Sequence, residues 1–159
     1  MKAAKTMIRT LIPLAALTLL AACSNEPATG VDPAATVAVT GAMCRPTPNG
    51  RQMTGCYVTM TASADDRLVS VSSPRAGRVE IHESKMENGM MMMTELREGM
   101  PLPAGQVVAL SPGGNHIMLL GVEEPMVTGQ TVPLTLTFAK APAVEVQAPV
   151  ATPPAEAAH

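Results

Sequence analysis

Two histidines and a run of methionines are the residues of this sequence whose types and spacing suggest metal chemistry. His82 lies eight residues before the run Met90–Met93, and His116 is followed two residues later by Met118. Thioether sulfur and neutral imidazole suit a soft metal ion, and monovalent copper is the candidate because it favours such ligands. The sequence therefore indicates a Cu(I) site, provided that the fold brings these side chains together.

The elements that must position these side chains are β-strands. Apolar residues recur at period two between residues 36 and 138, and turn-forming residues separate the alternating segments. The candidate strands are 37–40, 57–61, 68–71, 78–82, 91–96, 106–110, 116–122 and 132–138. Because no segment has the caps and the 3.6-residue period of a long helix, the pattern predicts an all-β fold, an antiparallel β-sandwich or Greek-key barrel.

Strand alternation decides which candidate ligands share a face. Alternate residues of a strand point to opposite sides of the sheet. His116 and Met118 therefore share one face, and Met91 and Met93 form a pair that points away from the other two methionines of their run. The dipeptide Asn88-Gly89 before that run suits a tight hairpin turn. We expect the turn to fold the run back alongside the strand that ends at His82.

The N-terminal segment has the composition of an export signal. Three basic residues precede an apolar stretch over 11–22, which is shorter than the roughly 18 to 25 residues that cross a bilayer. The tetrapeptide Leu20-Ala21-Ala22-Cys23 that closes it resembles the lipobox of bacterial lipoproteins, in which the cysteine becomes the lipidated N-terminus. We therefore predict a lipoprotein signal peptide over 1–22 and a lipid anchor on Cys23.

Composition then divides the rest of the chain. The lipidated Cys23 and a small, polar, proline-bearing segment form a predicted flexible tether over 23–35. A single copper-binding β-barrel domain is expected over 36–138, and an alanine- and proline-rich, disordered tail over 139–159.

The net charge of the protein and its predicted cellular location limit the classes of molecule that it can bind. Cleavage after residue 22 removes three positive charges and no negative one, so the formal charge changes from −2 to about −5, which gives no sign of nucleic-acid binding. A lipid anchor places the protein in the bacterial cell envelope, facing the periplasm. Ser24 after the anchor favours the outer membrane over the inner one.

Two cysteines, Cys44 and Cys56, remain once Cys23 is lipidated. The exported location permits disulfides, so a bond between them is the leading interpretation. The alternative makes them two further soft metal ligands, since methionines lie nearby in the sequence.

The candidate ligands and their spacing match a known pattern. His82-Glu83 followed by Met93, and then the segment 113–119 with its His-x-Met, resemble the periplasmic copper chaperones called PCu(A)C. The resemblance extends from about residue 37 to residue 138. It implies a cupredoxin-like β-barrel with a Cu(I) site near its surface. The ligands that it implies are His82, Met93, His116 and Met118.

One difference from the family pattern leaves the identity of one ligand open. The gap from Met93 to His116 is one residue longer than in the commonest family pattern, so Met91 is an alternative to Met93. The family's role implies delivery of copper to an accepting protein, either subunit II of a cytochrome oxidase of the haem-copper type or a Sco-type protein.

The sequence bears on two functions other than copper transfer. An enzyme is not indicated, because the sequence has no Ser-His-acid or Cys-His set. The remaining alternative is a structural or adhesive envelope lipoprotein without metal, whose methionines fill the core as that residue commonly does.

Overall fold

The computed structural model describes residues 35–153, and the predicted signal peptide, the anchor residue Cys23, most of the tether and the last six residues lie outside this range. The fold is all-β, as predicted. Its strands are β1 Val37–Cys44, β2 Met53–Ala62, β3 Asp66–Ser72, β4 Arg78–Glu87, β5 Met90–Glu95, β6 Met100–Leu102, β7 Val107–Ala109, β8 His116–Leu120, β9 Thr131–Phe138 and β10 Val144–Pro149. Between residues 35 and 153 there is no helix long and apolar enough to cross a membrane.

The strands form two antiparallel sheets. The larger has the order β1-β2-β8-β4-β5, with β7 also paired to β2, and the smaller has the order β10-β9-β3-β6. Alternating apolar side chains of both sheets pack together between them, among them Met60, Leu68, Ile117, Leu119 and Leu136, which are almost fully buried. The other face of the larger sheet is thereby left for polar and functional side chains.

The C-terminal part of the domain corrects the sequence prediction. The disordered tail expected over 139–159 is wrong for residues 144–149, which form β10 and pair along their whole length with β9. Val144 and Val146 pack on the core, and Ala148 is fully buried, whereas Glu145 and Gln147 point outward. Residues 144–148 do alternate with period two. The alanine- and proline-rich composition around them is typical of a disordered tail, so the alternation was not recognised as a strand. The folded domain therefore extends past 138, to Val150 at least.

A disulfide closes one end of the larger sheet. Cys44 and Cys56 lie opposite each other on β1 and β2, are bonded to each other and are fully buried. Cys44 also bridges to Val150, and its carbonyl accepts a hydrogen bond of 2.9 Å from Ala151 N–H. The C-terminal strand and the first hairpin are thus joined at the same end of the sandwich.

A carboxylate joins the smaller sheet to the connection between β9 and β10. Asp66 at the start of β3 accepts hydrogen bonds from the backbone N–H groups of Arg67, Lys140 and Ala141, at 2.7, 2.9 and 2.8 Å. Partial burial acts to raise the pKa of this carboxyl, but the hydrogen bonds from backbone amides outweigh it and hold the pKa below its usual range. Asp66 therefore stabilises the fold in its ionised form.

The hairpin of β4 and β5 has the turn that the sequence predicts. Asn88 and Gly89 have positive φ angles of 50° and 78°, as a two-residue turn of this kind requires. Because the turn is tight, it fixes the register of the two strands. β4 pairs with β8 only as far as His82, so the hairpin beyond that residue extends past the rest of the sheet.

Candidate metal centre

The register of β4 against β8 brings the two histidines together. His82 lies directly opposite His116, and their ring centroids are 5.5 Å apart with an angle of 67° between the planes. Residues opposite each other in antiparallel strands point to the same side of a sheet. Since Ile117 and Leu119 point into the core, His116 and Met118 lie on the outer face, and His82 lies there with them.

The methionine run adds thioethers to the same face. Met93 lies opposite Ser84, and Met91 lies opposite Met86. Ser84 is two positions along β4 from His82, so Met93 shares its face at a distance of about 7 Å along the strand. Met91 is one such step further away. By register, Met93 is therefore the methionine of the run placed nearer the histidines.

His116 is held by the turn that precedes it. Its Nδ1 lies 3.0 Å from the carbonyl oxygen of Gly114. A carbonyl only accepts hydrogen bonds, so Nδ1 carries the proton and Nε2 keeps its lone pair. The turn is closed by a hydrogen bond from Gly114 N–H to the Ser111 carbonyl, and Asn115 Oδ1 accepts one from Ser84 N–H on β4. The ring of His116 is thus buried and oriented before any metal arrives.

His82 is oriented by a carboxylate on its own strand. Its Nε2 lies 2.8 Å from Oε2 of Glu80, whose other oxygen is 2.8 Å from Nη2 of Arg78. An ionised carboxylate accepts the Nε2 proton, which leaves Nδ1 unprotonated. That Nδ1 is buried and has no hydrogen-bond partner among the residues that the structure describes. A carboxylate behind an imidazole is the usual support of a metal-binding histidine.

Glu80 is not a solvated surface charge. Its side chain is only 12% exposed because it is enclosed between Arg78 and His82. The sequence holds a signal for this contact, since residues two apart on a strand share a face. That signal alone does not distinguish a contact from two neighbouring surface residues.

A shallow pocket opens beside the histidines on the outer face. Its lining includes His116, Met118, Met91 and Met93. Gly55 of β2 lies opposite Met118 and also borders the pocket; a side chain there would approach the ring of His116. All four predicted ligands thus lie on one face, three of them around this pocket and His82 next to His116.

The disulfide removes the cysteines from the candidate ligands in this state. The sulfurs of Cys44 and Cys56 are bonded and fully buried on the core side of the sheet, whereas the histidines lie on its outer side. The site that the structure describes is therefore made of imidazole and thioether groups.

Comparisons with known proteins agree with this architecture. Residues 37–150 match the family model described as "Putative lipoprotein LpqE-like". A curated relative from Leifsonia xyli subsp. xyli, named "Putative lipoprotein Lxx21020", is 36% identical over 103 residues. That match covers 64% of this chain and 62% of the relative, so the chain spans less than two thirds of the length of that protein.

Solved structures of the same fold include copper proteins. The apo PCuAC domain from PmoF1 superposes with a TM-score of 0.61 at 24% identity, over 74% of this chain and 94% of that domain. The solution structure of CuI-DR1885 from Deinococcus radiodurans superposes with a TM-score of 0.58 at 25% identity, over 82% of each chain. These likenesses confirm the predicted cupredoxin-like fold and the resemblance to PCu(A)C domains. The chain belongs to the LpqE-like lipoprotein family, and its folded part has the fold of PCu(A)C domains.

Proposed function

We propose that this protein is a copper chaperone that binds Cu(I) and transfers it to a partner protein. The observation that carries the proposal is the pair His82 and His116, which lie opposite each other on two neighbouring strands. One nitrogen of each ring is hydrogen-bonded to an acceptor oxygen, and we infer that the other nitrogen is unprotonated. The likeness to DR1885, whose solution structure holds Cu(I), supports the choice of metal.

The proposed ligands are the two imidazoles and two thioethers. His82 contributes Nδ1, which is buried without a partner among the described residues, and His116 contributes Nε2. Met118 lies on the same strand and face as His116, and Met93 completes the set from the neighbouring hairpin. Met91 is the alternative to Met93, since both point to this face and line the pocket.

Four neutral ligands select the ion by their chemistry. They leave the positive charge of Cu(I) uncompensated and offer little to Mg²⁺ or Ca²⁺, which prefer carboxylates and water. The carboxylate of Glu80 is hydrogen-bonded to His82 and so supports the site from behind that ring.

The difference in exposure between the ligands favours transfer over storage. His116 is 7% exposed, whereas Met93 is 60% exposed on the hairpin. An acceptor protein would reach the ion from the thioether side and replace Met93 before the histidines release it. Exchange of a neutral, exposed ligand leaves no buried charge unpaired, so the step has a low electrostatic cost.

The anchor and the acceptor complete the proposal. Cys23 would carry the lipid, the domain would face the periplasm, and Ser24 favours the outer membrane. The acceptor would be subunit II of a cytochrome oxidase or a Sco-type protein. The protein would act as a carrier without catalysing a reaction.

The test is an anaerobic titration of the chain from Ser24 onward with Cu(I), in competition with a chromophoric chelator. We expect one tightly bound ion, weakened binding in His116→Ala and Met93→Leu, and unchanged binding in Met90→Leu, whose side chain points to the opposite face. A wild-type domain that never competes with the chelator would refute copper binding and leave the metal-free envelope lipoprotein as the better hypothesis.

A further inference from the structure

The hairpin of β4 and β5 carries more exposed methionine than one metal site needs. Met86 lies on the part of β4 that no longer pairs with β8, and the four methionines of the run lie opposite that part on β5. All five are exposed. Exposed apolar side chains that lie together mark a binding or interaction surface more often than single scattered ones do. The register of the hairpin separates these five residues into two sets.

One set points to the same side as the histidines. Met86 lies two residues beyond Ser84 and four beyond His82 on β4, so all three share a face. Met91 lies directly opposite Met86. Side chains opposite each other in an antiparallel pair have Cβ atoms about 5 Å apart, within reach of two flexible thioethers that bind one ion. Met90 and Met92 lie opposite Glu87 and Lys85 and point to the other side.

We propose that the thioethers of Met86 and Met91 form a second Cu(I) site, through which the ion enters on its way to the histidine site. The proposal rests on the assignment of Cu(I) as the cargo. Two thioethers suit this ion because they are soft and neutral, and their exposure lets a small complex in solution reach them. Met86 is 68% exposed and is not among the residues that line the pocket beside His116.

The spacing supports a relay. Met86 is about 13 Å along β4 from His82, too far to be a ligand of the histidine site. Met93 lies between them, about 7 Å along β5 from Met91. An ion held by Met86 and Met91 would therefore move to Met93 in one step and to the imidazoles in the next. Each step replaces one neutral ligand by another. Because a thioether carries no proton, its binding of the ion is not coupled to proton release.

The test follows the methionine methyl groups by NMR in the full-length protein, labelled with 13C at these methyls and titrated with Cu(I) without oxygen. We expect the first equivalent to shift Met118 and Met93, and the second to shift Met86 and Met91, while Met90 and Met92 stay unchanged. In Met86→Leu the second event should be lost and the first retained. Met90→Leu is the matched control, since it removes one exposed methionine from the same hairpin and should retain both events.

A second variant separates this proposal from the histidine site. In His82→Ala with His116→Ala, the first binding event should disappear while Met86 and Met91 still shift. If Met86 stays unshifted in the wild-type protein at excess Cu(I), or if Met90 and Met92 shift as much as Met86 and Met91, the second site is refuted whatever the histidines do. Loading of the histidine site from a Cu(I) chelate should also be slower in Met86→Leu than in Met90→Leu, and equal rates would overturn the entry role.

Discussion

Glu80 accepts a hydrogen bond from the ring of His82, with 2.8 Å between Oε2 and Nε2. The contact fixes which nitrogen of the ring carries the proton and leaves Nδ1 as the one that can bind a metal. Arg78 holds the other carboxylate oxygen at 2.8 Å and so restrains the carboxylate itself. The orientation of one proposed ligand thus depends on a residue that is not a ligand.

Replacing Glu80 by Gln should weaken Cu(I) binding by about 10- to 100-fold, as loss of the partner behind a metal-binding histidine typically does. The amide lacks the charge that favours a protonated Nε2. The affinity is measured by chelator competition, and 15N NMR of the His82 ring should show a mixture of tautomers. Arg78→Gln is the control, because it keeps the Glu80 carboxylate. An unchanged affinity in Glu80→Gln would show that the carboxylate does not support the site.

Met93→Leu should weaken Cu(I) binding more than Met91→Leu does. The reason is register: Met93 lies opposite Ser84, next to the position of His82, whereas Met91 lies one step further along the hairpin. We expect a loss above about tenfold, or about 1.4 kcal/mol, for Met93→Leu. Each variant removes one thioether from the same face of the hairpin, so each serves as the control for the other. A larger loss in Met91→Leu would assign that residue as the ligand.

Removing the disulfide should lower stability and leave copper binding in place. The double variant Cys44→Ala and Cys56→Ala opens a link between residues 12 apart in sequence, and we expect the free energy of unfolding to fall by about 2 to 4 kcal/mol. Urea unfolding measures the first effect and chelator competition the second. Alanine keeps these buried positions apolar. A large change in Cu(I) affinity in the folded variant would mean that the bond shapes the site.

Asp66→Asn should destabilise the domain by about 1 to 2 kcal/mol at neutral pH, because backbone amides of β3 and of the β9–β10 connection then lose a charged acceptor. The folded state lowers the pKa of Asp66. Its contribution is therefore complete above about pH 4, the usual value of an aspartic acid, and is lost as the pH falls through the lower value of the folded state.

Urea unfolding of both proteins between pH 7 and pH 2 tests this assignment. The difference in stability between the wild-type protein and Asp66→Asn should be constant from pH 7 to about pH 5 and shrink below about pH 4. A difference that does not depend on pH would mean that the ionised carboxylate has no part in it.

Local patterns were enough to predict where several of the candidate ligands lie. Alternation assigned His116 and Met118 to one face, and Asn88-Gly89 predicted the turn that brings the methionine run beside β4. The pairing of His82 with His116 is different, because it depends on the register of strands more than thirty residues apart in sequence. The local sequence of neither strand specifies that register.

Two strands and the end of a third were not predicted from the sequence, each for a different physical reason. β6 is only three residues long and contains Pro101, so its alternation is too short to recognise. β10 has a clear alternation of Val144, Val146 and Ala148, but it lies in a segment whose composition is typical of disordered tails. β4 continues five residues past His82 because the hairpin turn, and not the core, determines where it ends.

The direction of β1 determines how an anchored protein would stand on its membrane. The strand enters the domain at Val37 and ends at Cys44, a length of roughly 22 Å, and the pocket beside the histidines lies at the Cys44 end, where Arg45 and Thr152 border it. A lipid attached ahead of Val37, as proposed, would therefore connect to the domain at the end opposite this pocket. The tether and the proposed copper site would then lie at opposite ends of the sandwich, so the attachment to the membrane would not obstruct the pocket.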